Sequence, residues 1–305
     1  MPAVIVRAPA KVNLILRVRG RRPDGYHENA SLMQRIDLCD EVALSLAGGE
    51  LTVSTDHPEV PDGPENLAHR AAEVLLRSRD LGVGVRIQIT KRIPVGAGLG
   101  GGSSDAAATL RGLNALLGLG LHPAELARLG AGLGADIPFF FAGGSGALVG
   151  GIGDQVEEVH GLPPLWYVVV NPGFSVSTRW VYENFALTTS GQDTSIAEVP
   201  DTLTAVSQAL WNDLEEVTAD RHPEIREMKQ ALLARGARGA LMSGSGPTVF
   251  GLFPSEQEAR AAAQGLDSPW RVWVAGSLGP EETEGGWRSQ RSESFQSTRT
   301  SSGPM

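Results

Sequence analysis

Apolar and polar residues alternate across positions 11–18. Val12, Leu14, Leu16 and Val18 face one way and Lys11, Asn13, Ile15 and Arg17 the other, which predicts a strand. The same two-residue period predicts strands at 41–46, 51–55 and 83–89. The period becomes helical at Glu65-Asn66-Leu67, where Leu67, Ala71, Val74 and Leu75 form one apolar face. It does so again where Ala106, Leu110, Leu113 and Leu117 recur up to a stop at Gly118. His122-Pro123 opens a third helix that ends near 130–134. Past a glycine-rich stretch at 143–153, the pattern reads strand 166–170, a helix after Ser177-Thr178, and helices at 201–210 and 223–235. Strands at 239–242 and 248–253, a helix at 255–264 and a strand at 270–275 complete it. Strand, helix, strand, strand, helix, strand is the split β-α-β order of a ferredoxin-like unit, here with an extra helix or two.

At 305 residues the chain has length for two cores, and the expected division is 1–155 and 156–280. From Glu281 on, Ser, Thr, Arg and Gly dominate, so 281–305 reads as a disordered tail. A net charge of −9 disfavours a nonspecific nucleic-acid binder, which needs a basic stripe to neutralise phosphates. Cys39 is the only cysteine, so no intrachain disulfide forms and a reducing compartment is expected. Arg7 and Lys11 interrupt the apolar N-terminus too early for a signal peptide, and the apolar run at 166–170 stops at Asn171-Pro172. The expectation is a cytoplasmic protein with no membrane partner, a monomer or weak homodimer.

The chemistry centres on Pro94-Val95-Gly96-Ala97-Gly98-Leu99-Gly100-Gly101-Gly102-Ser103-Ser104-Asp105, a glycine loop running into an Ala-rich helix. The first turn of a helix has unpaired N–H groups and partial positive charge, and glycines let an anion approach the backbone. Gly96-x-Gly98-x-x-Gly101 fits a dinucleotide fingerprint, but no acidic residue stands at the ribose-reading distance. A Walker loop needs Lys after its last Gly, where this chain has Ser103, and the protein-kinase HRD and DFG tripeptides are absent. A plain flexible linker is the competing reading, and Leu99 within the loop argues against it.

Four other features stay open between a structural and a chemical role. Lys11, sharing a strand face with Asn13, is either a solvated edge lysine or a charge near the core, where Pro9 and its apolar neighbours place it. Arg21-Arg22-Pro23-Asp24-Gly25 is a turn, after which Tyr26 and His27 either close a hairpin or offer a stacking ring and a hydrogen-bonding edge. Asp136, two residues ahead of Pro138, is either an N-cap or a reactive carboxylate. Ser243-Gly244-Ser245-Gly246-Pro247 joins two strands with more Gly and Ser than a hairpin requires.

Taken together, these segments resemble the GHMP small-molecule kinases. Ala8-Pro9-Ala10-Lys11-Val12-Asn13-Leu14 with Gly25-Tyr26-His27 is similar to the family's first motif, the glycine loop to its second and Ser243–Pro247 to its third. Gly134-Ala135-Asp136-Ile137-Pro138-Phe139 and Asn212-Asp213-Leu214-Glu215 also match, and the likeness spans roughly 3–276. Ala97 stands where the family often has Gly, and Leu214 where it often has Cys. The resemblance implies an α+β fold of two domains, the first like domain 2 of ribosomal protein S5 and the second ferredoxin-like. It implies that Lys11 and Asp136 are the catalytic pair. Asp136 would accept the proton of the attacking alcohol, while Lys11 would stabilise charge on the γ-phosphoryl group and keep Asp136 ionised.

The resemblance also implies ATP and Mg²⁺. Pro94, Gly96, Gly98, Leu99, Gly100, Gly101, Gly102, Ser103 and Ser104 would hold the phosphates, with Ser104 on the metal and Asn66 and Lys91 near the adenosine. Gly244, Ser245 and Gly246 form the third glycine motif. The triple-Gly form of the loop is similar to that of members whose acceptor carries cytidine diphosphate. Asn13, Tyr26, His27, Thr178 and Tyr182 would then bind such a CDP-linked small molecule, with Tyr26 and Tyr182 stacking on the base. The rivals are a family member acting on homoserine, mevalonate or a sugar, a nucleotide-binding regulator without turnover, and an NAD-dependent oxidoreductase.

Overall fold

The computed structural model describes residues 3–21, 27–153, 155–185, 196, 198–266 and 269–279. Tyr26, most of the turn before it and the expected tail lie outside the described residues. In chain order the elements are strands β1 (Ala3–Arg21), β2 (His27–Ala47) and β3 (Thr52–Thr55), helix α1 (Leu67–Ser78), strand β4 (Gly84–Thr90), and helices α2 (Gly101–Leu117) and α3 (Pro123–Ala131). A 3-10 turn at Pro138–Phe141 precedes β5 (Gly146–Gly151), β6 (Gln155–Val159) and β7 (Trp166–Asn171). Then come α4 (Thr178–Asn184), α5 (Leu203–Ala209), β8 (Trp211–Asn212), α6 (Glu215–Arg221), α7 (Glu224–Ala234), β9 (Ala240–Met242), β10 (Val249–Phe253), α8 (Glu256–Ala263) and β11 (Arg271–Gly276).

The first sheet runs β3-β4-β2-β1-β8, with β5 on β2 and β6 on β5. β1 and β2 form one long antiparallel hairpin, from Ala3 opposite Ser45 to Arg21 opposite His27. Sequence periodicity predicts only positions 11–18 and 41–46 of it, and the structure shows why. Register shifts at Pro9/Ala10, Asn13/Ile15 and Val18/Gly20 break the alternation. Residues 8–16 and 30–36 are also buried continuously, so neither run alternates with solvent. One side of the sheet is covered by α1, α2 and α3, with Ala106, Ala107 and Ala108 sealed against it. The other side meets the second sheet, where Val12 and Leu14 pack with Tyr167, Val169, Phe250 and Leu252.

The second sheet has the order β11-β7-β10-β9 with every pair antiparallel. Counted within the unit this is fourth, first, third, second, the ferredoxin-like arrangement expected from the element order. Ile225, Met228 and Leu232 of α7, with Ala259 and Ala262 of α8, cover it. Two features cross the division expected after residue 155. The glycine-rich stretch and the polar segment after it form the β5–β6 hairpin of the first sheet, and β8 pairs in parallel with Ile15 and Leu16 of β1. Glycines and charged residues carry little strand signal, so sequence alone places a domain boundary near here instead of a hairpin. Among the described residues no helix is long and apolar enough to cross a membrane.

Candidate functional site

Three backbone segments converge on one carbonyl. The Gly98 oxygen accepts from the Lys11 amine at 3.0 Å and from the Ser243 hydroxyl at 3.0 Å. The Lys11 backbone N–H donates to Leu99 at 3.0 Å, and Asn13 N–H reaches the Ser243 hydroxyl at 3.4 Å. Gly98 sits at φ +76°, and a Cβ there would stand 2.1 Å from the Ser243 carbonyl oxygen, so only glycine permits this contact. Gly100, at φ +71°, lets the Lys11 stem pass: a Cβ would meet Lys11 Cγ at 3.0 Å and Phe140 Cζ at 3.2 Å. Gly244 closes the other side, within 3.4 Å of the amine by the same measure.

Lys11 is therefore not an edge lysine. Its amine is buried, donates to Asn13 Oδ1 at 2.6 Å and lies 3.8 Å from Asp136 Oδ2. Burial pushes its pKa below the ordinary lysine range, and Asp136 opposes that shift without cancelling it. Asp136 precedes the 3-10 turn, whose first residue is preceded by Ile137 with no side-chain cap. The N-cap role is thus unfilled by Asp136, and its carboxylate, 31% exposed, opens on the cleft. Two buried guanidiniums fix the segment behind it. Arg35 donates to the Ala142 carbonyl and, at 2.6 Å, to Gly144, and Arg111 donates to Phe140 at 2.9 Å. Desolvation lowers the pKa of each to about 10.

The glycine loop delivers α2 with Gly100 as its N-cap, a residue with no side chain to satisfy the first-turn N–H groups. Those donors and the positive end of the helix face the cleft, an anion cradle. Ser103 lines the cleft, whereas Ser104 does not: its hydroxyl is fully buried in the first turn and has no partner. The side chains of Asn66 and Lys91 are committed elsewhere. Asn66 caps α1 through Ala68 N–H at 2.9 Å and donates to the Pro61 carbonyl at 2.9 Å. Lys91 places its ammonium between Asp40 and Asp105, 2.6 Å from the latter, so what both offer the cleft is wall rather than a free polar head.

At the opposite end His27 stacks on Tyr182, ring centroids 5.1 Å apart at 30°. Burial raises the Tyr182 hydroxyl to about 12. Thr178 shares a 2.8 Å hydrogen bond with Ser245, which ties α4 to the third glycine loop. Gly246 lies behind that loop, outside the cleft wall. Sequence assigns no role to the matching segment at 212–215, and the structure gives Asn212 one. Its amide donates to the carbonyls of Met242 at 2.7 Å and Gly244 at 2.8 Å, and its oxygen accepts from Leu214 N–H at 2.9 Å. The segment Asn212–Glu215 thus braces the third loop from β8, the strand added beside Lys11's own.

The cleft has a volume of about 1680 Å³. Pockets for one small molecule run to about 300–1,000 Å³, so this one has room for two ligands end to end. An amine and a carboxylate at the tip of an anion cradle suit transfer of a charged group to an alcohol.

Known proteins place this geometry in a family. Residues 66–144 match the GHMP kinases N terminal domain and 201–272 the GHMP kinases C terminal domain. The chain is 52% identical over 281 residues to a 4-diphosphocytidyl-2-C-methyl-D-erythritol kinase of Geobacter metallireducens, covering 91% of this chain and 100% of that protein. A crystal structure of 4-(cytidine 5'-diphospho)-2C-methyl-D-erythritol kinase superposes with a TM-score of 0.76 at 41% identity, over 90% of this chain and 99% of that one. Homoserine kinase from Cytophaga hutchinsonii shares the fold, with a TM-score of 0.69 at 20% identity over 91% and 95% of the two chains. On these matches the chain belongs to the GHMP kinase family.

Proposed function

We propose that the chain transfers the γ-phosphoryl group of ATP to the 2-hydroxyl of 4-diphosphocytidyl-2-C-methyl-D-erythritol, giving the 2-phosphate and ADP in the non-mevalonate route to isoprenoid precursors. The observation that carries it is the 3.8 Å approach of Lys11 and Asp136 across the Gly98 junction, at the mouth of the uncapped α2 N-terminus. Phosphoryl transfer passes through a loose, highly charged transition state, so the protein's work is positioning and charge neutralisation. The triphosphate lies along Gly98–Ser103 with its terminal group beside the Lys11 amine. Burial disfavours the charged amine, and an arriving γ-phosphate restores it. Asp136 takes the proton of the acceptor hydroxyl. The acceptor's cytosine end lies toward His27 and Tyr182, where ring faces and a ring nitrogen suit a pyrimidine.

Mg²⁺ is held by one or two carboxylates and by substrate phosphates rather than by an all-protein cage. Among the described residues no group of three or more His, Cys, Asp or Glu side chains stands ready for a metal. Asp136 and Ser103 are the cleft donors suited to it, and the buried Ser104 hydroxyl is not. When bound, the ion draws charge from the β- and γ-phosphates.

The test is ADP release with this acceptor, compared with homoserine and mevalonate. Activity confined to the CDP-linked alcohol supports the proposal, and preference for either other acceptor refutes it. Asp136→Asn, which keeps the shape and removes the base, should lower kcat by about 10²–10⁴-fold with ATP still bound. Near-normal turnover would dismiss the base assignment.

A further inference from the structure

The segment that enters the glycine loop and the helix that leaves it are fastened to a single ammonium. Lys91 follows β4 directly. Its amine contacts Asp40 of β2 and Asp105 of α2, and all three side chains are at most 4% exposed. Asp40 also takes the backbone N–H of Arg92 at 2.5 Å and of Ile93 at 2.8 Å, so residues 91–93 are pinned to β2 just before Pro94. Asp105 fixes α2 to the same amine at 2.6 Å, three residues past Gly102. The amine stands 3.4 Å from where a Cβ on Gly101 would lie, directly behind the backbone that faces the cleft.

Two carboxylates crowd one ammonium in a buried site, and Asp105 Oδ1 makes no hydrogen bond. Replacing a buried ion-pair cluster by apolar residues is often neutral or stabilising, so stability is a weak account of it. What it supplies is geometry: a loop of flexible glycines is closed at its base by a rigid cross-tie.

We propose that Lys91 and Asp105 are positioning residues for ATP, closing the base of the glycine loop so that the first-turn N–H groups of α2 hold the phosphates. The inference rests on the reading of the site as an ATP-dependent kinase. It accounts for a lysine on the cleft wall whose charge never reaches the cleft. Pre-ordering the loop lowers the cost of binding there and leaves the acceptor end, some elements away at α4, untouched.

The experiment measures the Kd of a non-hydrolysable ATP analogue by calorimetry and the KM of the CDP-linked acceptor. Asp105→Ala cuts the tie to α2 while Asp40 keeps Lys91 paired. It should weaken analogue binding at least tenfold and leave the acceptor KM within twofold. Asp105→Asn keeps an oxygen for the ammonium and should restore analogue binding to within twofold of wild type. The double variant Lys91→Met/Asp105→Leu, in which Asp40 retains its backbone donors, should behave as Asp105→Ala does and serves if that variant does not fold. Wild-type analogue affinity in the tie-cutting variants overturns the proposal, as does equal loss at both substrates or failure of Asn to rescue. A wild-type chain that binds the analogue but phosphorylates no CDP-linked alcohol overturns the functional reading and leaves this one standing. One that binds no analogue overturns both.

Discussion

Replacing Gly98 by alanine tests how tightly the three motifs are joined. The added methyl would stand 2.1 Å from the Ser243 carbonyl oxygen, and the backbone there has φ +76°. An L-residue in left-handed geometry costs about 1–2 kcal/mol, and overpacking a close junction about 1–3 kcal/mol more. The variant should therefore lose roughly 2–5 kcal/mol, read as a Tm lower by several degrees. The functional loss should be larger than the stability loss suggests. Relief of the clash moves the Gly98 carbonyl or Ser243 by about 1 Å, and Lys11 loses its anchor 3.8 Å from Asp136. A displacement of that size costs about 100-fold in rate. Steady-state ADP release at saturating ATP and acceptor measures kcat. Gly102→Ala is the control for stability alone, since its methyl would meet only Leu67 Cδ1 at 3.6 Å in a helical turn. Alanine there should leave the fold as stable or stabilise it by about 0.5–1 kcal/mol. A Gly98→Ala enzyme with kcat within threefold of wild type and an unchanged Tm would refute the junction as described.

Asn212→Ala removes the amide from two buried carbonyls and the oxygen from Leu214 N–H. At about 1–3 kcal/mol for a buried group left unpaired, it should destabilise the chain by more than 2 kcal/mol in urea melts and raise the KM values of both substrates. A stability change below 0.5 kcal/mol would remove the bracing role. Burial raises the Asp105 carboxyl to about 7, with Asp40 adding to the shift and Lys91 opposing it. The folded chain then holds a proton that the unfolded chain has released above about pH 4, so stability falls as pH rises from about 4 to 7 and levels off beyond. Compared with Asp105→Asn, wild type should lose up to about 1.4 kcal/mol per pH unit in that window, and parallel curves between pH 5 and 8 would contradict this.

The sequence showed chemistry more readily than it showed scaffolding. The glycine loop, the strand carrying Lys11 and the turn bearing Asp136 were all visible, because successive glycines, an alternating strand and an Asp just ahead of a proline are patterns of residue type. The partners that hold them were not. Arg35, Arg111 and Asp40 act through backbone carbonyls, backbone N–H groups and buried pairs, which leave no spacing rule. Lys91 shows the limit from the other side: a motif position suggested a ligand contact, and only three dimensions reveal two carboxylates already around its charge. Likewise Ser103 and Ser104 are equivalent as letters, and helix phase alone decides which one meets the cleft. Of the long β1–β2 hairpin only 11–18 and 41–46 were predicted, because register shifts and burial on both faces break the alternating signature elsewhere.

β1 contributes side chains to all three apolar clusters, Val4 and Val6 to the first, Val12 and Leu14 to the second, Leu16 and Val18 to the third. Lys11 is thus carried on a strand that all three clusters share. Melting should proceed as a single cooperative event, and half-molecules cut near the middle of the chain should be incompetent alone. Heat or denaturant would then abolish structure and nucleotide binding at the same midpoint.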